Sequence, residues 1–144
     1  METVRQLVLG TDFSECADQA LALALQLAAA SLARLTVVHV CEPDAEEQVV
    51  LERSETLSTL VAGHGCAGVE INAVLRSGVP WKKLDNVAAE VGAVLIVIGR
   101  HGSGRSAGLG TVADQLIRYA HRSVLTVACD FSCLSGEAFA IKQQ

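Results

Sequence analysis

The residues of this chain best suited to holding a ligand run from Gly99 to Thr111, as Gly99-Arg100-His101-Gly102-Ser103-Gly104-Arg105-Ser106-Ala107-Gly108-Leu109-Gly110-Thr111. Five glycines and two arginines share this stretch. Glycine carries no Cβ, so its main chain can turn N–H groups toward a ligand, including at positive φ. A helix opening at Thr111 adds unsatisfied N–H groups and the positive end of its dipole. The ligand such a stretch serves is an anion, most often a phosphate. Arg100, His101 and Arg105 add side chains able to grip it. Gly99-x4-Gly104-Arg105-Ser106 approaches the phosphate-loop pattern. Arginine stands where that pattern has lysine, and Leu109-Gly110 interrupts the helix start, so a true phosphate loop is not expected.

Other reactive side chains are read more plainly. Asp12 follows the first apolar run, as a ligand group or only as a favourable charge before a helix. His39 sits in a β-branched run, where a neutral, hydrogen-bonded core histidine is expected. His101 offers a phosphate contact or simple exposure. Trp81 follows Pro80 and is expected to pack against the sheet or a partner. The five cysteines, Cys16, Cys41, Cys66, Cys129 and Cys133, are scattered and odd in number. Buried reduced thiols are expected. Cys129-x-x-x-Cys133 has no matching Cys or His pair nearby, so no metal centre is expected. There is no Ser-His-Asp order on a nucleophile elbow and no loop with two carboxylates, so the chain reads as a binder rather than an enzyme.

Bulk properties exclude several classes. Net charge is −5 and only 3% of residues are aromatic. That leaves no basic field for nucleic acid or a membrane surface and few rings for base stacking. The longest apolar stretch, Ala20 to Leu32, includes Gln26 and Ser31 and is too short to span a bilayer. The start shows no signal-peptide pattern, so a soluble cytoplasmic protein is expected.

Strands and helices alternate along the chain, and they must position these groups. Gln6–Leu9 is a short apolar strand. Ser14 can cap a helix running to about Ala33, with Leu21, Leu25, Ala28 and Leu32 near helical spacing. Leu35–Cys41 reads as a fully buried strand ended by Pro43. Asp44 to about His64 is a half-exposed helix. Val69–Leu75 is a third strand. Pro80 opens a third helix that Gly92 stops. Ala93–Ile98 is the fourth strand. After the glycine stretch come a helix from Thr111 to about Arg122 and a fifth strand, Ser123–Ala128. Residues 130–144 form an unplaced tail. This order predicts one α/β domain over 1–144, with its core in 5–129 and an open parallel sheet covered by helices on both faces.

Several motifs in sequence order resemble the universal stress protein family over residues 5–129. They are Leu7-Val8-Leu9-Gly10-Thr11-Asp12-Phe13-Ser14, Val37-Val38-His39-Val40, Gly78-Val79-Pro80, Gly99-x-x-Gly102, Gly110-Thr111 and Val124-Leu125-Thr126-Val127. The resemblance implies an adenine nucleotide alpha-hydrolase-like sheet of order 3-2-1-4-5. Ligands of such sheets bind at the carboxyl ends of the strands where the order reverses. Carried over from ATP-binding members, Asp12 lies by the adenosine and the Val40 main chain reads the adenine. Gly99, Gly102, Gly110 and Thr111 hold the phosphates, with Arg100, His101 and Arg105 adding to that grip. ATP, with or without Mg²⁺, is the implied ligand. The implied assembly is a homodimer through the edge strand Ser123 to Ala128, acting as a stress-response adaptor toward a protein partner.

One departure stands out. ATP-binding members place nine residues between Gly-x-x-Gly and Gly-Ser or Gly-Thr. Here seven, Ser103 to Leu109, separate Gly102 from Gly110. A member that binds no nucleotide and works only through protein contacts is the alternative this supports. A hydrolase of the related superfamily would carry a Ser-Gly-Gly-x-Asp-Ser loop after the first strand. Gly10-Thr11-Asp12-Phe13-Ser14 lacks it.

Overall fold

A computed structural model describes residues 5–65, 68–101 and 109–129. Gly102, Arg105, Cys66, Cys133 and the tail from 130 therefore lie outside the described residues. Nine elements alternate along the chain: β1 Gln6–Gly10, α1 Glu15–Ser31, β2 Arg34–Cys41, α2 Glu47–Ala62, β3 Ile71–Ser77, α3 Pro80–Val91, β4 Leu95–Gly99, α4 Thr111–Tyr119 and β5 Ser123–Val127. All neighbouring strands pair in parallel, in the order β3-β2-β1-β4-β5. The α/β class and the helix-covered faces are as the alternation of elements predicts, and the strand order is the one the family resemblance implies.

Strand alternation divides the core in two. Leu7, Leu9, Leu35, Val37 and Val97 face one way, and α1 and α2 cover them with Ala20, Leu21, Ala24, Ala28 and Leu57. Val8, Val38, Ile96 and Ile98 face the other way, onto Leu84, Val87 and Ala88 of α3 and Ala113 and Leu116 of α4. Ala20, Ala24 and Ala28 are fully buried at successive turns, giving α1 a face of methyl groups that lets it lie close to the sheet. Trp81 packs at the rim of the second core and stacks on Tyr119, ring centroids 5.4 Å apart. Among the described residues no helix is long and apolar enough to cross a membrane.

Element ends depart from the sequence pattern for local reasons. α1 stops at Ser31 because Leu32 turns left-handed, at φ 54°, and its N–H closes on the carbonyls of Ala28 and Ala29. α2 begins at Glu47, three residues later than its polarity suggests. β3 lies at 71–77 rather than 69–75, since pairing with β2 runs on to Cys41↔Ser77 and Gly78 N then donates to Cys41 O. α4 ends at Tyr119, where Ala120 turns extended. On the α3 side of that end, the Asp85 carboxylate accepts from both the His121 N–H and its ring nitrogen, fixing the turn that leads into β5. Nothing in the residue pattern points to that pair.

Two glycines at strand ends serve packing. A Cβ on Gly10 would stand 2.9 Å from Leu84 Cδ1, in space α3 fills. A Cβ on Gly99 would meet Cys16 Sγ at 3.0 Å and the Cys16 carbonyl oxygen at 3.1 Å. The first turn of α1 therefore rests directly on the end of β4, and Cys16 Sγ reaches Val127 O of β5 at 3.8 Å.

Candidate functional site

β1 sits between β2 and β4; the connection from β1 to β2 crosses one face through α1, and the connection into β4 crosses the other through α3. A crevice opens at this reversal, at the carboxyl ends of the strands. It holds a cavity of about 330 Å³ lined by Gly10, Thr11 and Asp12 after β1, Val38, His39 and Val40 of β2, Pro80 and Leu84 of α3, and Ile98, Gly99 and His101 at β4. Gly110, Thr111, Val112 and Ala113 at the head of α4 complete one wall, and Ala17 of α1 lies opposite. The cavity thus gathers Asp12, Val40, Gly99, His101, Gly110 and Thr111 from distant parts of the chain. Arg100 is exposed and does not line it. Pro80, Leu84, Ile98, Val112 and Ala113 also line the cavity and were not read from the sequence as site residues. Their place follows from which face each strand and helix turns inward, and only the assembled register shows that.

The base of the cavity is set by one histidine. Thr11 N donates to Val38 O at 2.9 Å, and Gly78 N donates to Cys41 O at 3.0 Å. Main-chain groups of alternate residues in a parallel strand face alternate neighbours. Val38 and Val40 therefore face β1, while His39 and Cys41 face β3. The next rung would join Val40 N–H to Thr11 O, but that carbonyl instead accepts the His39 ring at Nδ1, at 2.8 Å. A carbonyl only accepts, so Nδ1 carries the hydrogen. The His39 ring is buried and lies against Phe13, ring centroids 4.5 Å apart. Burial, the largest influence, holds its pKa below the ordinary histidine value; the Thr11 bond pulls the other way. His39 is the neutral core histidine expected from its strand. Its bond leaves the Val40 N–H and C=O without a main-chain partner among the described residues. A donor and an acceptor side by side, flanked by Val38, Pro80, Leu84 and Ile98, suit the edge of a planar heterocycle.

The two helix heads at the crevice differ in charge and in capping. α1 is capped by its own chain: Ser14 Oγ accepts from Ala17 N at 3.2 Å, and Asp12 Oδ1 accepts from Ser14 N at 3.0 Å. Asp12 thus braces the turn into α1, and its other carboxylate oxygen has no hydrogen bond among the described residues. Asp18, one turn further on, has its pKa raised, by burial first and then by Asp12 and Glu15, against an opposing pull from His64. This side of the crevice is negative. α4 has no side-chain cap at Gly110. Its first intrahelical bond is Asp114 N to Gly110 O, so the N–H groups of Thr111, Val112 and Ala113 have no partner among the described residues. His101 Nδ1 beside them is enclosed and also lacks one. This side fits an anion.

Not every group in the glycine stretch is available. Gly110 N donates to Arg100 O at 2.7 Å, and Arg100 N donates to Val127 O at 2.8 Å. The described ends of the stretch are fastened to each other and to β5. Cys16 and Cys41 are buried thiols, and Cys129 is buried as well. Among the described residues no group of three or more His, Cys, Asp or Glu could hold a metal ion.

Comparison with known proteins fits this arrangement. UspA of Lactobacillus plantarum superposes with a TM-score of 0.75 over 88% of this chain and 99% of its own, at 17% identity, a likeness of fold. A universal stress protein of Archaeoglobus fulgidus, solved in complex with dAMP, is 28% identical, with a TM-score of 0.70 over 88% of this chain and 98% of its own. A universal stress protein solved in complex with cAMP matches with the same figures. A search by sequence among curated proteins returns no match. The family model for universal stress proteins matches residues 3–128, nearly the whole chain, which therefore belongs to the universal stress protein family.

Proposed function

We propose that this protein binds an adenine nucleotide in the crevice between β1 and β4 and acts as a dimeric regulatory adaptor rather than an enzyme. The observation that carries the reading is the pairing of two uncommitted polar sets in one cavity. The Val40 main chain stands ready for a base edge, and the uncapped head of α4, with His101, stands ready for phosphate. Asp12 lies between segments suited to the two ends and offers an oxygen to ribose hydroxyls. Structures of 28% identical relatives with cAMP and dAMP support an adenine ligand. The absence of an evident nucleophile–base pair in the described lining, with His39 committed to Thr11, supports binding over catalysis. Occupancy would shift the population of a surface that a protein partner reads. The dimer would form along the open edge of β5.

The test is to denature the purified protein, identify any released nucleotide, and titrate adenine nucleotides by calorimetry with and without Mg²⁺. Saturable binding of at least one is expected. No binding at millimolar concentration would sink this reading. The short glycine stretch favours the second reading, a member working only through protein contacts, and that result would leave it standing.

A further inference from the structure

We propose that His39 is the positioning residue of the base site: on the nucleotide reading above, its ring holds the turn after β1 so that the Val40 main chain and Asp12 face one ligand.

The two sides of β2 end at different heights. Toward β3 the strand stays paired to its last residue, at Cys41↔Ser77. Toward β1 pairing stops at Gly10↔Val38, and one further bond, Thr11 N to Val38 O at 2.9 Å, closes that side. A parallel ladder continued by one rung would give the Thr11 carbonyl to the Val40 N–H. That carbonyl accepts instead from His39 Nδ1 at 2.8 Å. Thr11 and His39 are both buried, which shields their bond from water. The residue before Val40 thus takes the acceptor that Val40 would use.

The same ring fixes the turn that follows. Phe13 stands at φ 66°, a left-handed conformation that a bulky side chain keeps only where its surroundings hold it. Its N–H donates to Thr11 Oγ1 at 3.0 Å, and its ring centroid lies 4.5 Å from that of His39. His39 therefore meets the turn twice, by a hydrogen bond at Thr11 and by ring contact at Phe13. Asp12 lies between these two anchors and lines the cavity together with Val40. Without the ring's donor, the Thr11 carbonyl falls to the Val40 N–H and the ladder gains a rung. The base edge then closes, and Asp12 moves with its turn.

The experiment is calorimetric titration of the full chain with AMP and with ATP, each beside its 1-deaza and 7-deaza analogues. Each analogue lacks one of the two ring nitrogens, flanking the amino group, that are able to accept from the Val40 N–H. In the unaltered protein one of the two should bind about tenfold more weakly than the parent nucleotide, the loss of one hydrogen bond that leaves a donor unpaired. His39→Leu keeps bulk and loses the donor. It should bring the parent nucleotide down about tenfold, to the level of that analogue, so that the discrimination disappears. His39→Asn carries an N–H on an atom bonded to Cγ, as His39 does at Nδ1, and should restore both affinity and discrimination. A residue that only filled space would be rescued by leucine instead. Should His39→Leu fail to fold by circular dichroism, His39→Gln, whose N–H stands one carbon further out, takes its place. Unchanged affinity and discrimination in every variant overturns the role of His39 alone. Equal loss in His39→Leu and His39→Asn, both folded, overturns it too. Parent nucleotide and both analogues bound alike by the unaltered protein overturns the Val40 edge and this proposal, while nucleotide binding stands. Failure of AMP and ATP to bind at all overturns the nucleotide reading as well.

Discussion

His39 does more than fill the core. Its ring gives its hydrogen to the Thr11 carbonyl, and the neighbouring residue is left with an open main chain. The same burial makes the residue sensitive to acid. An unfolded chain takes up a proton on His39 near pH 6.5, but the fold, which lowers that pKa, resists the proton to lower pH. Below about pH 6.5 the unfolded state binds more protons, so stability falls with falling pH; above it this contribution is complete and flat. Urea unfolding from pH 7.5 to 5.0 should show that decline, and His39→Gln should show a shallower one. Parallel curves would mean that His39 is not the source. The sequence made the neutral core histidine legible, because a histidine inside a β-branched run has few other fates. It did not reveal the freed Val40 groups, which depend on the Thr11 carbonyl, 28 positions from His39, arriving at the right height. Gly99 shows the reverse. Glycine types marked it as a ligand contact, and it does line the cavity, yet its missing Cβ is also where Cys16 of α1 rests.

At the scale of elements, alternation and punctuation carried most of the information. Ser14 caps α1, Pro80 opens α3 and Gly92 closes it in the left-handed conformation, at φ 70°. Where ends moved, pairing or a local turn decided: β3 follows the length of β2, and α1 yields to Leu32. Parallel alternation also orients β5. Val127 O accepts from Arg100 N, so Val127 faces the β4 side, and Thr126 turns its N–H to the open edge. Thr126→Pro would remove that outward donor without breaking a rung to β4. If β5 is the dimer edge, sedimentation should show a monomer, with secondary structure retained by circular dichroism. An unchanged dimer would place the interface elsewhere.

At the scale of the molecule, five parallel strands in the order β3-β2-β1-β4-β5 bring the ends of β1, β2 and β4 to one crevice. Neither sequence pattern nor composition alone gives that order; the family resemblance implied it, and a cavity lies at the reversal. The fold also sets a contrast inside its most protected strand. Val37 and Val38 of β2 are fully buried and belong to the central ladder. Amides in such positions exchange with solvent deuterium only through large openings of the fold. The Val40 amide, two residues on, has no ladder partner among the described residues. In the empty protein it should exchange far sooner than Val38, and a base that accepts from it should slow it selectively. The strand at the bottom of the crevice therefore carries its own isotopic clock. It can report occupancy at one residue without any assay of activity.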